Sequence, residues 1–192
     1  MKLLYLLPLM CLPLFSLAQS ESETAIQKRL QAYYEANQQK DWEAVVDMLY
    51  PPLLELSSRE DMVQMFSDME GNGMVVNMNS FDTQNISAPF EQEGERYAKV
   101  DYLSEISIQF TSKAFRDSAI VERLRNNFNQ EYGADMVQHD AETNTFTVQA
   151  DKSMLAIKQG SERPWTFIEL DDQNPTIGKL IPEAVIEHFR KE

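Results

Sequence analysis

The sequence predicts an α+β domain, with N-terminal helices packed on a strongly curved antiparallel β-sheet, an extra helix between strands and a C-terminal helix. Three observations carry this. Apolar residues recur at helical spacing through the first third of the chain. From position 98 to 110 they switch to alternation, with Ala98, Val100, Tyr102, Ser104, Ile106, Ile108 and Phe110 on one side of a strand. A last amphipathic stripe, Val185, Ile186 and Phe189, follows Pro182, a favoured first-turn residue. Helices, then strands, then a closing helix describe a sheet with helices on one face.

The first element is a leader. Lys2, an apolar run over 3–17, and Ser16-Leu17-Ala18 before Gln19 have the charge, core and small residues of a secretory signal peptide. Cleavage after Ala18 is expected, so 1–18 is signal and 19–192 a single domain, secreted or periplasmic. A membrane span needs roughly 20 apolar residues, and Pro8 and Pro13 interrupt this shorter run, so no stable membrane anchor is expected. Cys11, the single cysteine, has Met10 before it where a bacterial lipoprotein signal takes a small residue. It leaves with the leader, which removes disulfides, thiolate metal sites and cysteine nucleophiles from the exported chain.

Charge excludes another class. The formal net charge is −14, with 31 acidic residues against 17 basic ones. Such a surface repels phosphate backbones and anionic membranes, so nucleic acid is not an expected partner.

Ser20 and Glu23 form a capping box that should start the first helix, carrying Ile26, Leu30, Tyr33 and Tyr34. Asp41 caps a second helix, whose Trp42, Val45, Val46 and Leu49 fall on one face. Pro51 and Pro52 stop it at Tyr50, because a proline disfavours helical geometry in the residue before it. Tyr50 then either covers a cavity mouth or packs beneath the turn, and packing is the expectation. Ser57 and Glu60 form another capping box, before a helix with Met62, Met65 and Met69 as a core stripe.

Glu93-Gly94 marks a hairpin, with a partner strand within 81–90 and an irregularity at Pro89. A helix over Ser118–Tyr132 is closed by Gly133. Strands resume at Phe146, Val148 and Ala150, at 154–157, and at 165–170 after a turn over 160–164.

The order of these elements, with Tyr33-Tyr34, Asp41-Trp42-Glu43-Ala44-Val45-Val46, the Pro51-Pro52 break and Trp165-Thr166-Phe167-Ile168-Glu169, resembles the nuclear transport factor 2-like (cystatin-like cone) superfamily. The resemblance covers most of the chain after the leader. It implies helices lying over a bent sheet to enclose a cone. Members include isomerases and dehydratases as well as ligand-binding or subunit domains without chemistry, so fold alone does not choose a function. It also implies homodimerisation through the open sheet face. Tyr34, Trp42, Tyr50, Tyr102 and Trp165 are the candidate cavity-lining residues.

Enzymes of this fold type are expected to set a carboxylate or histidine beside a tyrosine in the cone, as ketosteroid isomerase does with an Asp base and a Tyr. Asp101 and Tyr102 are adjacent on a strand and point to opposite faces, which breaks up that pair. Asp101 shares its side with Lys99 and Glu105 and reads as solvent-facing. His139 reads as a loop residue and His188 as the end of the last helix. Neither has a metal-binding neighbour, so no metal is expected. No nucleophile elbow or phosphate-cradling glycine cluster is present, and no cofactor or catalytic set is assigned. Asn85-Ile86-Ser87 fits a glycosylation acceptor, which matters only in a eukaryotic secretory pathway.

The expected function is an exported, non-enzymatic domain that binds a small apolar ligand or a protein partner. The alternative is a cofactor-free isomerase, dehydratase or hydrolase using a carboxylate or histidine with a tyrosine in the cone.

Overall fold

The computed structural model describes residues 15–171, 174 and 176–191. It is an α+β fold: N-terminal helices, a six-stranded antiparallel sheet that does not close into a barrel, and helices again at the C-terminus. Most of the expected leader lies outside the described residues, and its last four residues are helical. Helix α1 runs Phe15–Gln39, so Ser20 is inside the helix and not its cap. The residues before Ser20 already supply backbone acceptors for its first amides, and the Ser20 carbonyl accepts from the Thr24 hydroxyl at 2.8 Å. Among the described residues no helix is long and apolar enough to cross a membrane.

Helix α2 (Trp42–Val46) is capped by Asp41, whose side chain accepts from the Ala44 amide. It ends earlier than its apolar stripe. Residues 48–50 are drawn out instead along a strand of the sheet, and a 3-10 turn, Pro51–Glu55, follows. Helix α3 (Arg59–Gly71) starts one residue later than the sequence suggested: Ser58 is the cap, accepting from the Asp61 amide at 3.1 Å. The same signature fits both adjacent serines, and the length of the 3-10 turn selects the second. Met65 is 50% exposed, so the methionine stripe is not core along its whole length; Phe66 and Met69 make the contacts beneath the helix.

The sheet is built on two long strands, β3 (Glu95–Phe110) and β5 (Thr145–Gln159), paired along nearly their whole length. Strand β1 (Met74–Ile86) flanks β3, with register shifts between Met78 and Ser80 and between Thr83 and Asn85. Such bulges bend and twist a strand. β1 starts well before the expected partner strand. The break at 87–89 around Pro89 separates it from β2 (Phe90–Gln92), which returns to β3 through Glu93 and Gly94, both at positive φ (55° and 83°) as a two-residue hairpin demands. The pieces expected at 146–150 and 154–157 are one strand, β5. β4 (Val137–Asp140) and β6 (Thr166–Glu169) pair with it, and His139 is therefore a strand residue and not a loop residue. β4 is short and polar, so its pairing comes from β5 and not from its own pattern.

Register divides the sheet into two faces. An inner face carries Ala98, Val100, Tyr102, Met154, Ala156 and Phe167, against Ile26 and Leu30 of α1 and Val45 of α2. At the far end of this face, helix α4 (Ser118–Tyr132) brings Phe128 to 5.1 Å from Phe146. The outer face also carries a core, which the one-sided layer did not anticipate. Tyr97, Leu155, Ile157 and Ile168 pack there beneath α5 (Ile177–Leu180) and α6 (Glu183–Arg190), through Ile177, Val185 and Phe189. The C-terminal helices have an apolar stripe of their own to bury, and α1 to α3 already occupy the inner side.

Candidate functional site

Between α1 and the middle of the inner face lies a cavity of about 370 Å³. Strands supply most of its wall: Met78 and Phe81 from β1, Tyr102, Ser104 and Ile106 from β3, Met154 from β5, and Phe167 and Glu169 from β6. Tyr33 closes it from α1, its ring edge-on to Phe167 at 6.0 Å. Phe81 stacks on Tyr102 at 4.7 Å and Tyr34 on Phe81 at 6.4 Å, giving one side of the site a three-ring ladder. Met78 and Ile106 also line a smaller niche of about 140 Å³ under α3, walled by Trp42, Phe66 and Met69. Lys40 bridges the Glu70 carboxylate and the Val76 carbonyl beside it.

The candidate lining residues therefore separate. Tyr102 lines the cavity and Trp42 the niche. Tyr34 backs the ladder and donates its hydroxyl to the Asn79 carbonyl at 2.9 Å. Trp165 is buried in the inner core, with the Arg96 guanidinium 5.7 Å over its ring. Tyr50 belongs to the outer core, as packing beneath the turn required. Tyr33, Met78, Phe81, Met154 and Phe167 were not among the candidate lining residues. Phe81 could have been, since it is the apolar residue amid polar ones on β1, and Tyr33 falls on the line of Ile26 and Leu30.

Polar chemistry is sparse and located. Tyr102 is 7% exposed, and its hydroxyl makes no hydrogen bond to protein among the described residues. Burial pushes its ionisation well above the ordinary phenol value, with the Glu169 charge adding to the rise. Tyr33 is raised chiefly by burial as well. Lys152, directly opposite Tyr102 in register, bridges Glu131 at 3.3 Å and Glu169 at 3.2 Å, with its ammonium 5.3 Å over the Tyr132 ring. Burial alone would lower that ammonium, but the Glu169 charge and hydrogen bonding to Glu169 and Glu131 raise it.

Asp101 does lie on the outer face, half-buried and not simply solvated. Ser153 donates to it at 2.7 Å and Lys99 pairs with it at 3.0 Å; burial would raise its pKa, but these contacts hold it below the usual carboxylate value. A second carboxylate, Glu95, accepts from the Tyr97 hydroxyl at 2.6 Å, and the Tyr50 hydroxyl lies 3.5 Å from the same oxygen. These are the two glutamate–tyrosine hydrogen bonds among the described residues, and they sit on the outer face, away from the cavity. No group of three or more metal-ligating side chains occurs among the described residues. Comparison with protein-family models and with curated proteins finds no match for this chain.

Proposed function

We propose that this chain is an exported, non-enzymatic domain of the nuclear-transport-factor-2-like type that holds a small apolar ligand in the cavity beneath α1. The observation that carries the reading is Tyr102: its ring is part of the cavity wall, and its hydroxyl has no protein partner among the described residues. A hydroxyl open to the cavity in a largely apolar wall suits a ligand with a hydrocarbon or aromatic body and one carbonyl or hydroxyl oxygen. The volume, about 370 Å³, falls within the range of small-molecule sites. Met78 and Met154 add adaptable walls, which favours breadth of ligand shape over a single fit.

The second reading, a cofactor-free isomerase, dehydratase or hydrolase, draws on Glu169, which lines the same cavity as Tyr102. Its carboxylate is engaged by Lys152, so acid–base work there would require that pair to open.

Native mass spectrometry of the protein purified from its own source separates the two. The expected result is a retained small molecule that Ile106→Trp displaces and that Tyr102→Phe holds about tenfold less tightly, the loss of one hydrogen bond. Turnover of a defined substrate, abolished by Glu169→Gln or Tyr102→Phe, would replace the binding reading with the catalytic one.

A further inference from the structure

A second cleft, of about 470 Å³, lies at the far end of the sheet between α4 and the β4–β5 hairpin. It is lined by Arg116, Ser118, Glu122, Arg125, Asn126 and His139. Two arginines converge on this cleft, and among the described residues neither Arg116 nor Arg125 forms an ion pair, although Glu122 belongs to the same wall. Arg116 donates only to the Glu142 carbonyl, at 3.4 Å.

The floor is a fixed chain of donors and acceptors. Asn144, 2% exposed, donates its amide nitrogen to the carbonyls of Phe110 and Phe115 at 3.2 and 3.1 Å, which leaves its side-chain oxygen to accept from His139 Nε2 at 3.1 Å. His139 Nδ1 must then be the acceptor, and Arg125 Nη2 donates to it at 3.0 Å, as a guanidinium can only donate. Phe146 holds the imidazole flat at 4.2 Å. A neutral ring nitrogen is thus the partner of a guanidinium that a charged acceptor would hold better. The first amides of α4, Ala119 and Ile120, are taken by Asp117, so the attraction in this cleft comes from side chains.

We propose that this cleft binds the phosphoryl group of a small phosphorylated metabolite, with Arg116 and Arg125 as the forks and Ser118 and Asn126 as further donors. Two planar forks and a hydroxyl match the three oxygens of a phosphoryl group better than the two of a carboxylate. The net charge excludes a polyanion such as nucleic acid. On binding, Arg125 turns from His139 to the anion and the imidazole loses its guanidinium neighbour.

Titration of the full chain with inorganic phosphate, followed by nuclear magnetic resonance at the arginine Nε–H groups and the His139 ring nitrogens, tests this. Saturable shifts at Arg116 and Arg125 are expected, together with a change at His139 Nδ1 that reports its lost hydrogen bond. Arg125→Gln should weaken phosphate binding at least tenfold, while Arg123→Gln, on the same helix but outside the cleft, leaves it unchanged. Acetate should bind at least tenfold more weakly. Shifts that never saturate, that survive in the Arg116→Gln/Arg125→Gln double variant, or that acetate matches would overturn the proposal.

Discussion

The hydroxyl of Tyr97 donates to the Glu95 carboxylate at 2.6 Å, two residues back on the same face of one strand. Tyr50 reaches the same oxygen from the 3-10 turn, so two phenols and one carboxylate close the outer core. Burial raises Tyr50 to about 12, with the Glu95 charge the next cause, and Tyr97 is raised further, by burial first and then by its hydrogen bond to Glu95. A phenol raised by folding contributes stability that is complete below its unfolded value of about 10 and is lost as pH rises through its folded value. The protein should therefore unfold cooperatively in alkali, with the phenolate absorbance of Tyr50, Tyr97 and Tyr102 appearing together with the loss of far-ultraviolet ellipticity. Phenolate absorbance from these residues in a chain still folded would count against the buried network.

The opposite pH limit depends on Asp47 and Arg59. Arg59 Nε and Nη2 meet the two Asp47 oxygens at 2.7 and 3.1 Å, tying the end of α2 to the start of α3. The hydrogen bond from Arg59 depresses the Asp47 pKa, so its contribution is present above the unfolded value of about 3.9 and disappears as pH falls through the folded one. Asp47→Asn should lower Tm slightly at neutral pH and match the parent once acid has protonated the parent's Asp47 carboxylate. An equal deficit at both pH values would point to lost packing.

Gly73, at φ 83°, sits where a methyl group would stand 2.9 Å from Ser112 Cβ. Gly160 shares the left-handed backbone (φ 73°) with nothing near it. Both alanine variants carry strain, and only Gly73→Ala adds a clash between the α3–β1 junction and the end of β3. Urea denaturation should give a loss of about 1 kcal/mol for Gly160→Ala and about 2–3 for Gly73→Ala. Equal losses would mean that the Ser112 segment yields freely.

Asn144 combines a left-handed backbone, φ 55°, with three side-chain hydrogen bonds, one of them fully buried. Asn144→Ala should cost roughly 3 kcal/mol and Asn144→Gly about 1 less, since glycine removes the strain and not the unsatisfied carbonyls. Calorimetry of the pair would show whether that difference exists.

What could be read in the sequence was decided locally. Helix α4 lies between Asp117 and Gly133, a cap and a stop within the element itself, and its bounds follow directly. The alternation around Val100 and Tyr102 determined the inner face and put Tyr102 in the wall. What escaped was decided by partners distant in sequence. α2 ends at Val46 and not at Leu49 because Tyr50 N donates to Phe167 O and Phe167 N to Met48 O, both at 2.8 Å. β1 hid behind its own bulges, which break the period of two. Tyr33 and Tyr34 are neighbours, and only the rotation of α1 against the sheet chooses which one faces the cavity.

That pair of backbone bonds between residues 48–50 and Phe167 also orders events in time. The helical N-terminal third emerges early in synthesis, but the strand that its exit segment must join is among the last parts to appear. The inner core stays open until then, and closing it requires the slow search that distant contacts impose. A chain truncated before Trp165 would lack the edge to which residues 48–50 bond, and with it the Trp165 and Phe167 side chains that complete the inner core. The result is an interval between synthesis and folding in which the chain is without its closed inner core.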